Sequence, residues 1–245
     1  MANRWEVQNL TVQDEITELY VATLGRAPDK GGLAYWVNQV DTGAMTIAQV
    51  AASFFEQPET QAKYPAGTTN NAFVIAVYMN ALNREPDTAG LQYWTNQLDQ
   101  GLVTRPDFIL AVLQGAYDDP TATPPTFDSS LLTNQHIAAE YFAGVGNPAA
   151  KDYPWNGTAA EQANFLLNAH AVIVPVTADA STIAISKGLT DIFDAGGGSS
   201  TGQTFTLTSG VDTIPGLIGS AGTTSTAGDD TIVGTRAQTG TFPLT

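Results

Sequence analysis

The sequence predicts a mainly α-helical protein: a tandem helical repeat domain over residues 1–195, a Gly/Ser linker over 196–203, and the start of a short β-repeat segment over 204–245. Three observations carry that expectation. Residues 19–43 align with 77–101 at an offset of 58, and 13 of the 25 positions are identical, far beyond chance. Within each copy, apolar residues recur at helical spacing on both sides of a Pro-Asp break. Past Phe193 the composition turns abruptly to Gly196-Gly197-Gly198-Ser199-Ser200 and then alternates Thr with apolar residues, the period of a strand.

The repeat units run over about 11–63 and 70–118. In each, a first helix ends near Leu24 or Leu82, and a second resumes at Leu33-Ala34-Tyr35-Trp36 or Leu91-Gln92-Tyr93-Trp94. Pro28 and Pro86 mark the break, because proline cannot continue a helix but suits the start of the next one. Asp29 and Asp87 follow, where a carboxylate accepts the orphan N–H groups of the second helix and meets its positive end. Gly43 and Gly101 stop that helix. The next begins at Thr46-x-x-Gln49, a capping box, and at its variant Thr104-x-x-Asp107.

Pro120, Pro124 and Pro125 make 118–128 a non-helical joint. A third helical region follows over 128–194, with Thr158-x-x-Glu161 as another capping box. Its Tyr141-to-Pro148 spacing loosely echoes the copies, but the Arg and the Pro-Asp pair are missing, so a diverged third unit is one reading of it. Strands are expected over 204–208, 211–214 and 230–233.

The net charge of −15 comes from 24 acids against only 9 bases, which disfavours any nucleic-acid backbone as a partner. No window reaches the roughly 18 apolar residues that a spanning helix needs, so no membrane insertion is expected. The acids Glu6, Asp14, Glu15 and Glu18 interrupt the first twenty residues, which therefore do not read as a cleaved signal peptide. With no cysteine, disulfides, thiol nucleophiles and Cys-ligated zinc are excluded.

Candidate chemistry is sparse. Arg26 and Arg84 stand before the Pro-Asp turns, placed to hold helix-end carbonyls or a carboxylate, with an anion site as the alternative. Trp36, Trp94, Tyr35 and Tyr93 read as packing between units, with sugar stacking as the alternative. The irregular stretch 144–157 gathers Lys151, Asp152, Tyr153, Trp155 and Asn156. It reads as a surface loop that packs its own Trp, and it is also the first choice for a carbohydrate contact, since aromatic faces beside amides and carboxylates grip a sugar's C–H face and hydroxyls. Asp212, Asp229 and Asp230 are hard oxygen ligands beside turn-forming glycines, and Ala227-Gly228-Asp229-Asp230 is at best half of a calcium-binding rung, expected to be completed by further repeats. Asp118, Asp119 and Asp128 read as a solvated capping loop. The two histidines, His136 and His170, lie in helical patterns, and no nucleophile elbow, phosphate loop or zinc-protease motif is present, so no enzyme is expected.

The segments from Gly25 to Trp36 and from Asn83 to Trp94 resemble the R-x-P-D-x-x-G-L-x-Y-W domain of unknown function found in large bacterial exoproteins, which is distantly similar to phycobilisome linker domains. The tail residues 205–213 and 227–234 resemble the entry to the RTX-like repeats of Gram-negative S-layer proteins and adhesins. These resemblances imply type I secretion to the cell surface, calcium in the β-repeat region, and a lattice made of copies of the protein. They also imply an N-terminal domain that attaches to outer-membrane lipopolysaccharide. The rival they leave open is an RTX adhesin or biofilm-matrix scaffold that makes protein–protein contacts.

Overall fold

A computed structural model describes residues 10–117 and 126–196, together with the backbone of 204–206 and 231–233. The helices are α1 (Val12–Leu24), α2 (Lys30–Asp41), α3 (Ile47–Phe54), α4 (Pro58–Lys63), α5 (Asn70–Leu82), α6 (Thr88–Asp99), α7 (Arg105–Ala116), α8 (Phe127–Phe142), α9 (Ala159–Ala171) and α10 (Thr182–Asp194). Two short strands, β1 (Thr204–Thr206) and β2 (Thr231–Val233), pair antiparallel with Phe205 opposite Ile232. The expected strand at 211–214, most of the linker, and the calcium candidates Asp212, Asp229 and Asp230 lie outside the described residues.

The caps explain where the helices start. Thr11, Thr69, Thr46 and Thr104 each accept from the backbone N–H three residues on, at positions paired by the offset of 58. Asp29 and Asp87 do the same for α2 and α6, from Gly32 and Gly90 at 2.7 and 2.8 Å. Thr46 and Gln49 form the full reciprocal box. In the second copy the hydroxyl of Thr104 donates to Asp107 instead, at 2.6 Å. The first helix of each copy ends on a left-handed residue, Gly25 at φ 67° and Asn83 at φ 49°; Asn is the side chain that best tolerates that conformation after Gly.

Helix α1 is the hub, packed against α2, α3, α4, α5, α7 and α8. Every residue from Glu15 to Leu24 is buried, polar ones included. The copies meet through equivalent elements, α1 on α5 and α3 on α7. Their shared core is aromatic, with Tyr20, Phe54, Phe73, Phe108 and Tyr117 all buried. The last carbonyls of α1, orphans of the helix ladder, are met by side chains from the next elements. Lys63 donates to Leu24, Tyr64 to Thr23 and Asn80 to Ala22, at 2.7, 2.8 and 3.2 Å.

The third region departs from the repeat. Its first connection runs over 143–158, where those of the copies run over 25–29 and 83–87. Helix α8 lies along α1, and α10 packs on α8. A second core forms there from Val21, Ala139, Phe142, Val172, Ile173 and Leu189. Buried Ser186 ties α10 to the end of α9 by donating to the Val172 carbonyl at 2.6 Å.

Candidate functional site

Both Arg-Pro-Asp turns are clamped from outside the motif. Arg26 forks Glu59 of α4 at 2.6 Å through both Nε and Nη2, donates Nη1 to the Ala27 carbonyl at 2.8 Å, and lies over the Tyr20 ring at 5.2 Å. Arg84 repeats the fork on Asp128, in the first turn of α8, at 3.1 and 2.7 Å, and lies over Tyr78 at 5.6 Å. Burial alone would depress the Arg26 guanidinium, but the hydrogen bond and charge of Glu59 outweigh it and hold the cation firmly charged. The third region grips the first turn as well: the N–H of Ala27 donates to Ala169, and His170 Nδ1 lies 2.6 Å from the Gly25 carbonyl. Both arginines therefore act as braces between elements, and their partners lie 33 and 44 residues away.

The aromatics divide within each copy. Trp36 and Trp94 are half-buried against the core, 5.6 Å from Phe54 and 5.2 Å from Phe108. Tyr35 and Tyr93, expected to pack between units, are instead 55 % exposed in both copies, each making an edge contact with its neighbouring Trp at 4.9 and 5.0 Å. The physical reason is helical geometry. Adjacent residues point about 100° apart, so a stripe that buries the Trp leaves the Tyr at its edge.

The 144–157 stretch also separates into fixed and displayed residues. Asp152 accepts from Gly31 N–H at 3.0 Å and so caps the start of α2, while Lys151 donates its Nζ to the Phe193 carbonyl at 3.2 Å. Tyr153 wedges its ring 5.5 Å from Phe165. Trp155, expected to pack into its own loop, is 68 % exposed and touches only the Tyr153 edge among described rings, at 4.8 Å. Asn156 is exposed beside it. The Asp152 cap lands the loop on the helix that carries Tyr35, one turn from Gly31. An open groove of about 390 Å³ runs between that helix and 143–145, with Lys30, Ala34, Asn38 and Asp41 along it.

A buried polar cluster, which the sequence did not signal, joins α1 to α8. The Glu18 carboxylate, 1 % exposed, accepts from the Tyr117 hydroxyl at 2.7 Å and faces His136 Nδ1 at 3.3 Å. Asp14 lies 4.0 Å from the other ring nitrogen. Burial pushes His136 down, but Glu18, Asp14 and Glu140 together lift it above its ordinary value. Burial and a hydrogen bond shared with Asp14 push Glu140 up to about 7. Glu18 is an interior group of the α1–α8 seam and Asp14 lies at its edge, and the local pattern of charges in α1 could not reveal that.

Asp128 pairs with Arg84, while its expected companions Asp118 and Asp119 lie outside the described residues. Among the described residues no group of three His, Asp or Glu side chains is arranged to hold a metal ion, and no helix is long and apolar enough to cross a membrane. No curated protein matches this chain, and no solved structure does. A family match covers the two repeat copies, and its overlap, 51–64, takes in the end of α3 and all of α4, the segment that supplies Glu59. Residues 2–64 and 51–116 match, as two overlapping copies, the model of DUF4214, a domain of unknown function.

Proposed function

We propose that the helical region is a non-catalytic anchoring module of a secreted S-layer protein, holding it at the cell surface by binding the O-antigen polysaccharide of outer-membrane lipopolysaccharide. The observation that carries this reading is the display of large aromatic side chains from a well-packed body: Trp155 at 68 % exposure and Tyr35 and Tyr93 at 55 % each. Exposed aromatic faces beside amides such as Asn156 and Asn38 suit the C–H faces and hydroxyls of sugars. The resemblance of the repeat and tail motifs to S-layer exoproteins supports the same reading. With a net charge of −15, the module requires either a neutral glycan or calcium bridging acid to acid, and the same ion would screen neighbouring copies in a lattice.

The test is a titration of the protein with smooth lipopolysaccharide and with lipopolysaccharide lacking O-antigen, each with calcium and with chelator. Retention only on the smooth form is expected. Trp155→Ala should weaken it while leaving the melting temperature unchanged. Equal binding to both forms removes O-antigen recognition, and indifference to chelator removes the calcium bridge. Binding only to itself or to whole cells turns the reading toward an adhesin or matrix scaffold.

A further inference from the structure

The two copies are one pattern folded twice, so each position in one has a control in the other. By the offset of 58, Phe54 at the end of α3, and Gln57 and Pro58 at the start of α4, correspond to Val112, Gly115 and Ala116, all within α7. In the first copy the buried Phe54 ring fills the space beside Tyr20 and Trp36, at 4.8 and 5.6 Å. In the second copy the aromatic has moved back one helical turn to Phe108, 6.4 Å from Tyr78 and 5.2 Å from Trp94. The place of Phe54 is left to a valine. A cavity of about 170 Å³ opens there, lined by Tyr78, Arg84, Trp94, Val112, Gly115 and Asp128.

The polar groups differ in the same sense. The Arg26 side chain is 7 % exposed and all three of its nitrogens donate within the protein. The Arg84 side chain is 45 % exposed and, among the described residues, its Nη1 donates to no protein group. We infer that the second copy holds a binding site for a single neutral pyranose ring, the first copy being the same site filled by its own phenylalanine. This rests on the polysaccharide reading above and names the subsite and sugar class.

Size and chemistry both fit. A void of about 150 Å³ accepts one benzene ring, so this half-open cavity of about 170 Å³ seats the ring of one pyranose, with its outer hydroxyls projecting from the mouth, and has no room for a second. Trp94 lines the cavity and offers ring surface to C–H groups, while Tyr78, already covered by Arg84 and stacked on Phe108, walls it. Arg84 Nη1 donates to one hydroxyl, and the Asp128 carboxylate, paired but still accepting, takes a hydrogen from the next. The Arg84–Asp128 pair is neutral as a unit, and the surrounding charge of −15 disfavours uronic acids.

The experiment follows the tryptophan indole N–H resonances of the full chain while methyl hexopyranosides, N-acetylhexosamines and glucuronate are added singly. A shift at Trp94 with a neutral pyranoside and none at Trp36 is the expected result. Val112→Phe restores the first copy's ring; it should fold with a melting temperature at or above the parent's, abolish the Trp94 shift and weaken retention on smooth lipopolysaccharide at least tenfold. Gly115→Gln, the first copy's residue at that position, provides a second block should the larger ring be misaccommodated. The inference is overturned if Trp36 and Trp94 respond alike, if no neutral pyranoside moves Trp94, if both blocking variants keep the response, or if a phenylalanine amide shifts Trp94 where sugars do not. Free sugars and polysaccharide report separately: a Trp94 shift without polysaccharide retention sinks the anchoring reading and leaves the pocket. Retention undiminished in both variants sinks the pocket alone.

Discussion

The Arg26–Glu59 fork joins two partners of unequal burial, 7 % exposed against 38 %, and that inequality makes the two possible deletions differ. Glu59→Ala leaves a buried guanidinium with no carboxylate in hydrogen-bond contact, held by the Ala27 carbonyl at 2.8 Å, the Tyr20 ring at 5.2 Å and the more distant charge of Asp29. A buried charge stripped of its partner costs about 3–5 kcal/mol. Arg26→Met keeps most of the stem's apolar volume and leaves a carboxylate that water reaches, so its cost is nearer the net value of charge-assisted hydrogen bonds, about 1.5–3 kcal/mol. At about 2–4 °C per kcal/mol for a chain of this size, Glu59→Ala should lower the melting temperature by roughly 10 °C and Arg26→Met by roughly 5 °C. The equivalent fork on Asp128 involves an arginine that is 45 % exposed, and removing either of its partners should cost about 1 kcal/mol or less. Urea unfolding of the four single variants and the two double variants gives the coupling energy of each pair. If Arg26→Met is as damaging as Glu59→Ala, or the two forks couple equally, the burial argument is wrong.

Three further outcomes follow from named contacts. A methyl at Gly32 would lie 2.5 Å from the Tyr20 hydroxyl and 2.7 Å from Asp29, whereas one at Gly90 meets nothing nearer than 3.5 Å. Gly32→Ala should therefore destabilise by about 1–3 kcal/mol, while Gly90→Ala should be neutral or stabilising by up to about 1 kcal/mol, as thermal melts will show. Trp36→Ala and Trp94→Ala should each cost about 3 kcal/mol, the low end of the range for large aromatics because both are only half-buried, and equal melts of parent and variants would refute this. Glu140, held up at about 7, costs nothing below its unfolded value near 4.5 and most above 7, so stability falls as pH rises between them. His136, lifted by Glu18, adds stability that is complete below about 6.5 and fades as pH rises through its folded value, in the same direction. The parent should melt higher at pH 5.5 than at pH 8, and Glu140→Gln should gain most over the parent at pH 8, less at pH 5.5 and little at pH 4; a flat profile in the parent overturns the cluster's role.

What was legible in the sequence is what is local. Helix starts depend on one side chain reaching an N–H three residues on, so Asp29, Asp87, Thr46 and Thr158 could be read directly. The repeat was legible because packing had to be satisfied twice. The partners of Arg26 and Arg84 were not, because Glu59 and Asp128 sit in segments with no repeat counterpart in that role. Nor was the one-turn move from Phe54 to Phe108, since positions four apart share a helix face and both satisfy the same periodicity. The burial of Glu18 was invisible for a related reason: a Glu inside an amphipathic pattern signals solvent until its histidine and tyrosine partners, 118 and 99 residues away, are known.

The end of α10 is tied back to the displayed loop. The Asp194 carboxylate, in the last turn of α10, accepts from Asn147 Nδ2 at 2.8 Å and from the Lys151 N–H at 3.1 Å. A load applied to the end of α10 would be met first by hydrogen bonds anchored in 147–151. From there it passes to Asp152 and so to the first turn of α2. A pull at the end of α10 would thus be shared between the loop that carries Trp155 and helix α2, as load on a rope is taken by its cleat before it reaches the knot.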